Sequence, residues 1–145
     1  MPVRAIKKIS SHKTVDQGSL SIKVPEVILD AFKIGSDHEF ICELKRHFDK
    51  DKNAIHEANE TETFKVHNLI FPPAKILGLS GTSLAQKYGI AVGDYIEIIF
   101  LSLKETKKSG FLSKKEDEVI TTDIFPERMI DDLDFNPDKQ KVNNG

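Results

Sequence analysis

The sequence predicts a mainly β protein with short helices, an α+β barrel assembled from two strand–helix–strand halves. Three observations carry this expectation. Short apolar runs alternating with polar residues recur at 20–24, 38–44, 64–71 and 95–103, the signature of half-buried strands. A chain breaker, Pro25 or Gly81, precedes each of two short stretches with helical apolar spacing. Each of those stretches is followed by a turn that ends in an acid, Asp37 or Asp94.

Taken in order, residues 3–9 suggest a first strand, with Val3, Ala5 and Ile9 set against Arg4 and Lys8. Asp16-Gln17-Gly18-Ser19 reads as a turn. Leu20, Ile22 and Val24 alternate with Ser21 and Lys23, and Pro25 ends that strand while suiting the first turn of a helix, where its missing N–H costs nothing. Glu26 fits the positive end of the same helix, and Val27, Ile28, Ala31 and Phe32 follow at helical spacing. Residues 49–63 are polar and charged and read as a connector or long hairpin loop. Pro72-Pro73 ends the next strand, and 75–79 forms another. Ser83 with Gln86 three residues on forms a capping-box pattern for the second helix, which Leu84, Ala85 and Tyr88 give an apolar side. In the turn that follows, Gly93 is suited to positive φ, and the Asp94 carboxylate is suited to accept backbone N–H groups, a structural role. Residues 119–125 suggest one late strand, and the end from 131 onward reads as disordered. The expected organisation is a first barrel half over 1–48, a polar connector over 49–63, a second half over 64–115 and an acidic, partly disordered tail over 116–145.

With 145 residues, 39% hydrophobic and 30% charged, the composition is that of one ordinary globular domain. Such a chain buries roughly two-thirds of its unfolded surface without needing a metal or disulfide. The single cysteine, Cys42, has no partner for an internal disulfide, which fits a reducing compartment. The start shows no apolar run of the signal-peptide kind, and no stretch is long and apolar enough to cross a membrane, so the expected location is cytoplasmic.

The net charge is −2, but it is unevenly spread. The first 15 residues hold Arg4, Lys7, Lys8 and Lys13 and no acid, whereas residues 116–145 hold nine acids against Arg128, Lys139 and Lys141. The basic set is a nucleic-acid candidate, equally readable as charges guarding an edge strand, and Lys23 and Lys75 extend it if the strands bring them to one face. Lys104, Lys107, Lys108, Lys114 and Lys115 form a second basic region, read as an exposed loop. In the tail, acids are interspersed with Ile124, Phe125, Met129, Ile130, Leu133 and Phe135, a pattern suited to folding onto a protein partner or packing on the chain's own barrel.

Enzyme and metal motifs are absent from the pattern. His38 and Cys42 share a strand face with Phe40 between them, but no paired ligand spacing accompanies them. In His56-Glu57-Ala58-Asn59-Glu60 an acid stands where a zinc-protease helix needs its second His. Gly78-Leu79-Ser80-Gly81 lacks the glycine of a nucleophile elbow and the lysine of a phosphate loop. No cofactor or metal and no catalytic residue is expected.

The halves 20–44 and 76–101 share an order of features, with Ile34 matched to Ile90 and Asp37 to Asp94. Val15-Asp16-Gln17-Gly18, the 20–25 strand and the Ile34-Gly35-Ser36-Asp37 turn with Phe40 together resemble the AbrB/SpoVT-type swapped-hairpin domain. Residues 74–100, with Tyr88-Gly89-Ile90 and Val92-Gly93-Asp94-Tyr95-Ile96-Glu97-Ile98, are similar to a second copy, so the resemblance covers about half of the chain. It implies a cradle-loop, swapped-hairpin-like β-barrel in which the two halves interlock, as a monomer or a homodimer. It also implies a transcriptional regulator that binds double-stranded DNA, here contacting phosphates through Arg4, Lys7, Lys8 and Lys13, with Lys23 and Lys75. Ser19 and Leu20 follow Gly18, and the helices carry Leu29, Asp30, Ala85 and Gln86, at positions where the family tends to be basic. That keeps a second expectation open: a protein-interaction or antitoxin-like module whose tail binds a partner through Phe125, Met129, Ile130, Leu133 and Phe135.

Overall fold

The computed structural model describes residues 3–12, 19–35, 37–70, 73–79, 83–107, 118–125 and 127–138. The protein is mainly β with two short helices. The elements are β1 (Val3–Lys8), β2 (Ser10–His12), β3 (Ser19–Lys23), α1 (Glu26–Ala31), β4 (His38–Phe48), β5 (Ala54–Ile70), β6 (Pro73–Gly78), α2 (Ser83–Lys87), β7 (Tyr95–Lys107), β8 (Glu118–Asp123) and β9 (Ile130–Leu133). The alternation in β3, β4 and β7 becomes strand because each turns one apolar set inward, as the alternating burial of Phe40, Cys42 and Leu44 in β4 shows. Pro25 caps α1 with φ −56°, and the helix buries Ile28 and ends at the extended Phe32.

The strands form one open sheet in the order β2-β3-β6-β5-β4-β7-β1-β9, with β8 also on β7. Its pairings come in matched sets. β3 pairs antiparallel with β6, and β4 with β7. β1, which opens the chain, pairs with β7, while β5 pairs with β4. β2 pairs with β3, as the end of β5 pairs with β6. The first strand of each half therefore lies against the last strand of the other half. Only Ile9 separates β1 from β2, so one stretch of chain reaches from β7 to β3, as β5 reaches from β4 to β6.

The main core gathers Val3 and Ala5 of β1, Ile22 of β3, Ile28 of α1, Leu84 of α2, and Phe40, Ile98 and Phe100 of β4 and β7. The Phe40 and Phe100 rings meet edge to face at 5.1 Å. A second cluster joins Ile6, Phe48 and Phe135, with Tyr95 and Leu133 against it. Cys42 is fully buried in the main core, and burial pushes its thiol well above its usual range.

The sheet stays open: among the described residues no pairing joins β2 to β9, and β9 takes the outer edge of β1. Two expectations are corrected. The polar stretch 54–63 is strand, because it hydrogen-bonds to β4 from Phe48 opposite Ala54 to Glu39 opposite Lys65. Its side chains are mostly exposed, with Ala58 against the core, so the apolar alternation that marks a strand is nearly missing. Only 49–53 turns, and there the Asp49 carboxylate accepts the backbone N–H groups of Asp51 and Asn53 at 2.9 Å each. The end of the chain is ordered over 131–138, where Ile130–Leu133 adds to β1 as a parallel strand. The turn over 16–18, Ser80, Gly81 and the region 108–117 with Lys108, Lys114 and Lys115 lie outside the described residues, as do residues 139–145.

The α2–β7 turn follows the chemistry its sequence predicts. Gly93 has φ +94°, and the Asp94 carboxylate accepts the Ala91 N–H at 3.0 Å. The turn also holds the β1–β2 junction: the Ile9 N–H donates to the Asp94 carbonyl at 2.7 Å, and the Gly93 N–H to the Ile9 carbonyl at 3.0 Å. A Cβ at Gly93 meets nothing within 4 Å, so only the backbone opposes a side chain there. Gly93→Ala is expected to lower unfolding stability by about 1 kcal/mol or more, read as a lower urea midpoint with unchanged slope.

Candidate nucleic-acid interface

Three of the basic residues, Arg4, Lys7 and Lys8, lie on β1, the strand that β9 covers. Arg4 forms a two-pronged pair with Asp131, Nε to Oδ1 at 3.1 Å and Nη2 to Oδ2 at 3.0 Å, and its Nη1 donates to Glu97 at 3.2 Å. Lys7 donates to Asp132 at 2.7 Å and to Asp134 at 3.5 Å. The backbone N–H of Lys8 donates to the other Asp134 oxygen at 3.0 Å. Glu97 is only 4% exposed and bridges Arg4 to Arg46, whose Nε donates to it at 2.6 Å. The Asp131 carboxylate, through its hydrogen bond, holds the Arg4 guanidinium above its ordinary pKa, and Glu97 does the same for Arg46. The basic arm and the acidic tail, read separately in the sequence, are partners. Lys13 lies outside the described residues.

Lys23 and Lys75 are brought together elsewhere on the sheet. β3 and β6 pair with Lys23 opposite Ile76, next to Lys75. Both lysines line a groove of about 350 Å³ between the start of α1 and the β5–β6 hairpin, with Glu26, Leu29, Asn68 and Leu69 among its walls. Lys75 donates to the Asn68 side-chain oxygen at 2.7 Å. Lys23 is exposed and forms no ion pair among the described residues.

The tail's apolar residues face this chain. Phe125 packs on Phe32 with ring centres 5.8 Å apart, and Ile130 lies against the main core. Phe135 packs edge to face on Phe48 and on Tyr95, with Leu133 beside it. Met129 stays exposed.

A polar network not singled out in the sequence ties β4, β5 and the α2–β7 turn. His47, 1% exposed, has its Nε2 2.8 Å from an Asp94 carboxylate oxygen and its Nδ1 3.0 Å from Nδ1 of His56. The ring centres are 5.3 Å apart, which leaves the two Nδ1 atoms directly between them, edge to edge. In the neutral ring the carboxylate makes Nε2 of His47 the donor, which leaves its Nδ1 to accept from Nδ1 of His56. Beyond His56 lies the ring of Tyr88, whose hydroxyl donates to Glu60, as does Lys87 at 2.8 Å. That pair of donors holds the Glu60 carboxyl below its usual range, Lys87 contributing most.

Asp37, His38 and Glu105 bring three ligand-type atoms within 4.8 Å of one another. His38 Nδ1 accepts the Gly35 N–H at 2.9 Å, and Nε2 lies 3.2 Å from Glu105, so the protein itself uses both ring nitrogens. Cys42 shares the buried face of β4 with His38 and Phe40, as expected, but lies fully buried in the core. No protein-family model, no curated protein and no solved structure matches this chain.

Replacing His47 by Leu strips Asp94 and His56 of their partner, and a loss of about 1–3 kcal/mol in urea unfolding is expected. Glu60 has its pKa lowered by folding, so its contribution is present above the ordinary carboxylate pKa and disappears as pH falls through the depressed value. The urea midpoint of Glu60→Gln is therefore expected below that of wild type at neutral pH, with the gap closing as pH falls below about 4.

Proposed function

We propose that this chain is a DNA-binding transcriptional regulator of the AbrB/SpoVT kind, with both halves of a swapped-hairpin, cradle-loop barrel in one polypeptide. The observation that carries the reading is the exchange of first strands, β1 onto β7 and β5 onto β4, about the central pairs β3–β6 and β4–β7. This is the interlocking that the resemblance implies for two copies. The continuity of β1 with β2 through Ile9 supports the barrel, since it links β7 to β3 by the chain itself.

The phosphate contacts move within the expected set. Arg4 and Lys7 are engaged by carboxylates, whereas Lys23 and Lys75 line one groove with no acid in ion-pair contact among the described residues. An ammonium group that reaches a phosphate backbone displaces a counterion from it, which is the main source of non-specific DNA affinity. The partner-binding reading of the tail has less support, because Leu133 and Phe135 sit in a cluster of this chain and, of the five residues expected to bind, Met129 is the exposed one.

Titration of labelled duplex DNA at low salt, followed by fluorescence anisotropy, tests the proposal. Wild type is expected to bind, and Lys23→Ala with Lys75→Ala to bind more weakly, with the slope of log K against log salt reduced by about two. Folded protein that produces no anisotropy change at micromolar concentration would sink the proposal.

A further inference from the structure

The acids on β9 sit where phosphates would be expected if β1 were a nucleic-acid surface. We propose that β9 occupies a second polyanion-binding surface, formed by Arg4, Lys7 and Lys8 on β1, and that nucleic acid competes with it there. The inference rests on the DNA-binding reading and supplies its regulation.

The geometry of the contacts is that of phosphate recognition. Arg4 presents its fork to both oxygens of Asp131, the arrangement that guanidinium adopts with carboxylate and phosphate alike. The Lys7 ammonium is shared between Asp132 and Asp134, and a backbone N–H, that of Lys8, completes the anion site at Asp134. In the closed state Arg4, Lys7, Lys8 and Arg46 stand beside Glu97, Asp131, Asp132 and Asp134, so the acids cancel the cations. That surface offers a polyanion no net attraction. Without the three aspartates only Glu97 opposes three cations, and Lys8 stands exposed beside them.

The cover is built to compete. β9 is four residues long and sits at the edge of the sheet, where among the described residues it pairs with β1 only. The side chains of Asp131 and Asp134 are 48% and 38% exposed, so salt screens them and a dense row of phosphates can displace them. Leu133 and Phe135 tether the segment through apolar contacts that phosphate does not replace, which keeps it at hand to close again.

The test is a DNA titration of Asp131→Asn/Asp132→Asn/Asp134→Asn, which keeps both apolar anchors. Its comparator is Asp51→Asn/Glu57→Gln/Glu62→Gln, the same charge change made on the β4–β5 hairpin. The tail variant is expected to bind duplex DNA at least about tenfold tighter than the comparator, with a salt slope steeper by about two, one for each of Arg4 and Lys7 released. Adding Arg4→Ala and Lys7→Ala is expected to cancel the gain. In the wild-type chain, DNA is expected to speed amide exchange at 131–134 while leaving the β4–β7 amides protected. If wild type binds DNA but the tail variant gains nothing over the comparator, or keeps its gain without Arg4 and Lys7, the cover is not on a binding surface and the DNA reading stands. If the tail variant fails to fold, unchanged exchange at 131–134 on adding DNA is sufficient to overturn the inference. If neither wild type nor tail variant binds, both readings fall.

Discussion

The pairing of β4 with β7 is the constraint on which the rest of the structure depends. It runs from His38 opposite Glu105 to Phe48 opposite Tyr95, joining a long strand from each half. Each strand then offers its other edge: β4 to β5, and β7 to β1 and β8. The same pair supplies Phe40, Leu44, Ile96, Ile98 and Phe100 to the core. Neither half can satisfy its own backbone alone, because the neighbour of each first strand belongs to the other half. The β4–β5 and β5–β6 hairpins can close locally, but joining β1 and β4 to β7 closes contacts some 50 residues and more apart, which favours all-or-none assembly.

Much of this architecture was legible because it is written locally. Pro25, Ile28 and the alternation of β3 need only neighbours a few residues away, and Asp94 accepts a backbone N–H of its own turn. What failed was non-local. Residues 54–63 carry little apolar alternation, since β4 satisfies their backbone while their side chains face water. β9 is Ile-Asp-Asp-Leu, a sequence that becomes strand only because β1 has a free edge. The two histidines illustrate a signal that was within reach: once 49–53 is the hairpin turn, His47 and His56 fall opposite one another.

For the candidate interface, the residue types were readable and their partners were not. Charge read as blocks gave a basic arm and an acidic tail, two features with two separate uses. The parallel pairing of β1 and β9 makes them one feature, joining residues 127 positions apart in sequence. Lys23 and Lys75 show the opposite outcome, since strand pairing sets two distant lysines at one groove with no acid in ion-pair contact among the described residues.

The matched halves differ at their borders. β1 has its outer side closed by β9, but among the described residues no strand lies along the outer side of β5 where it pairs with β4. An open strand border is a template for other chains, and this one is held off by charge: Glu57, Glu60 and Glu62 lie along it. The protein thus guards its two equivalent borders by different currencies, one with a tethered piece of backbone and the other with mutual repulsion. The second guard depends on ionisation and ionic strength alone, so colloidal behaviour in acid is set by the β5 border, whereas the β1 border also has paired backbone and apolar anchors to hold it shut.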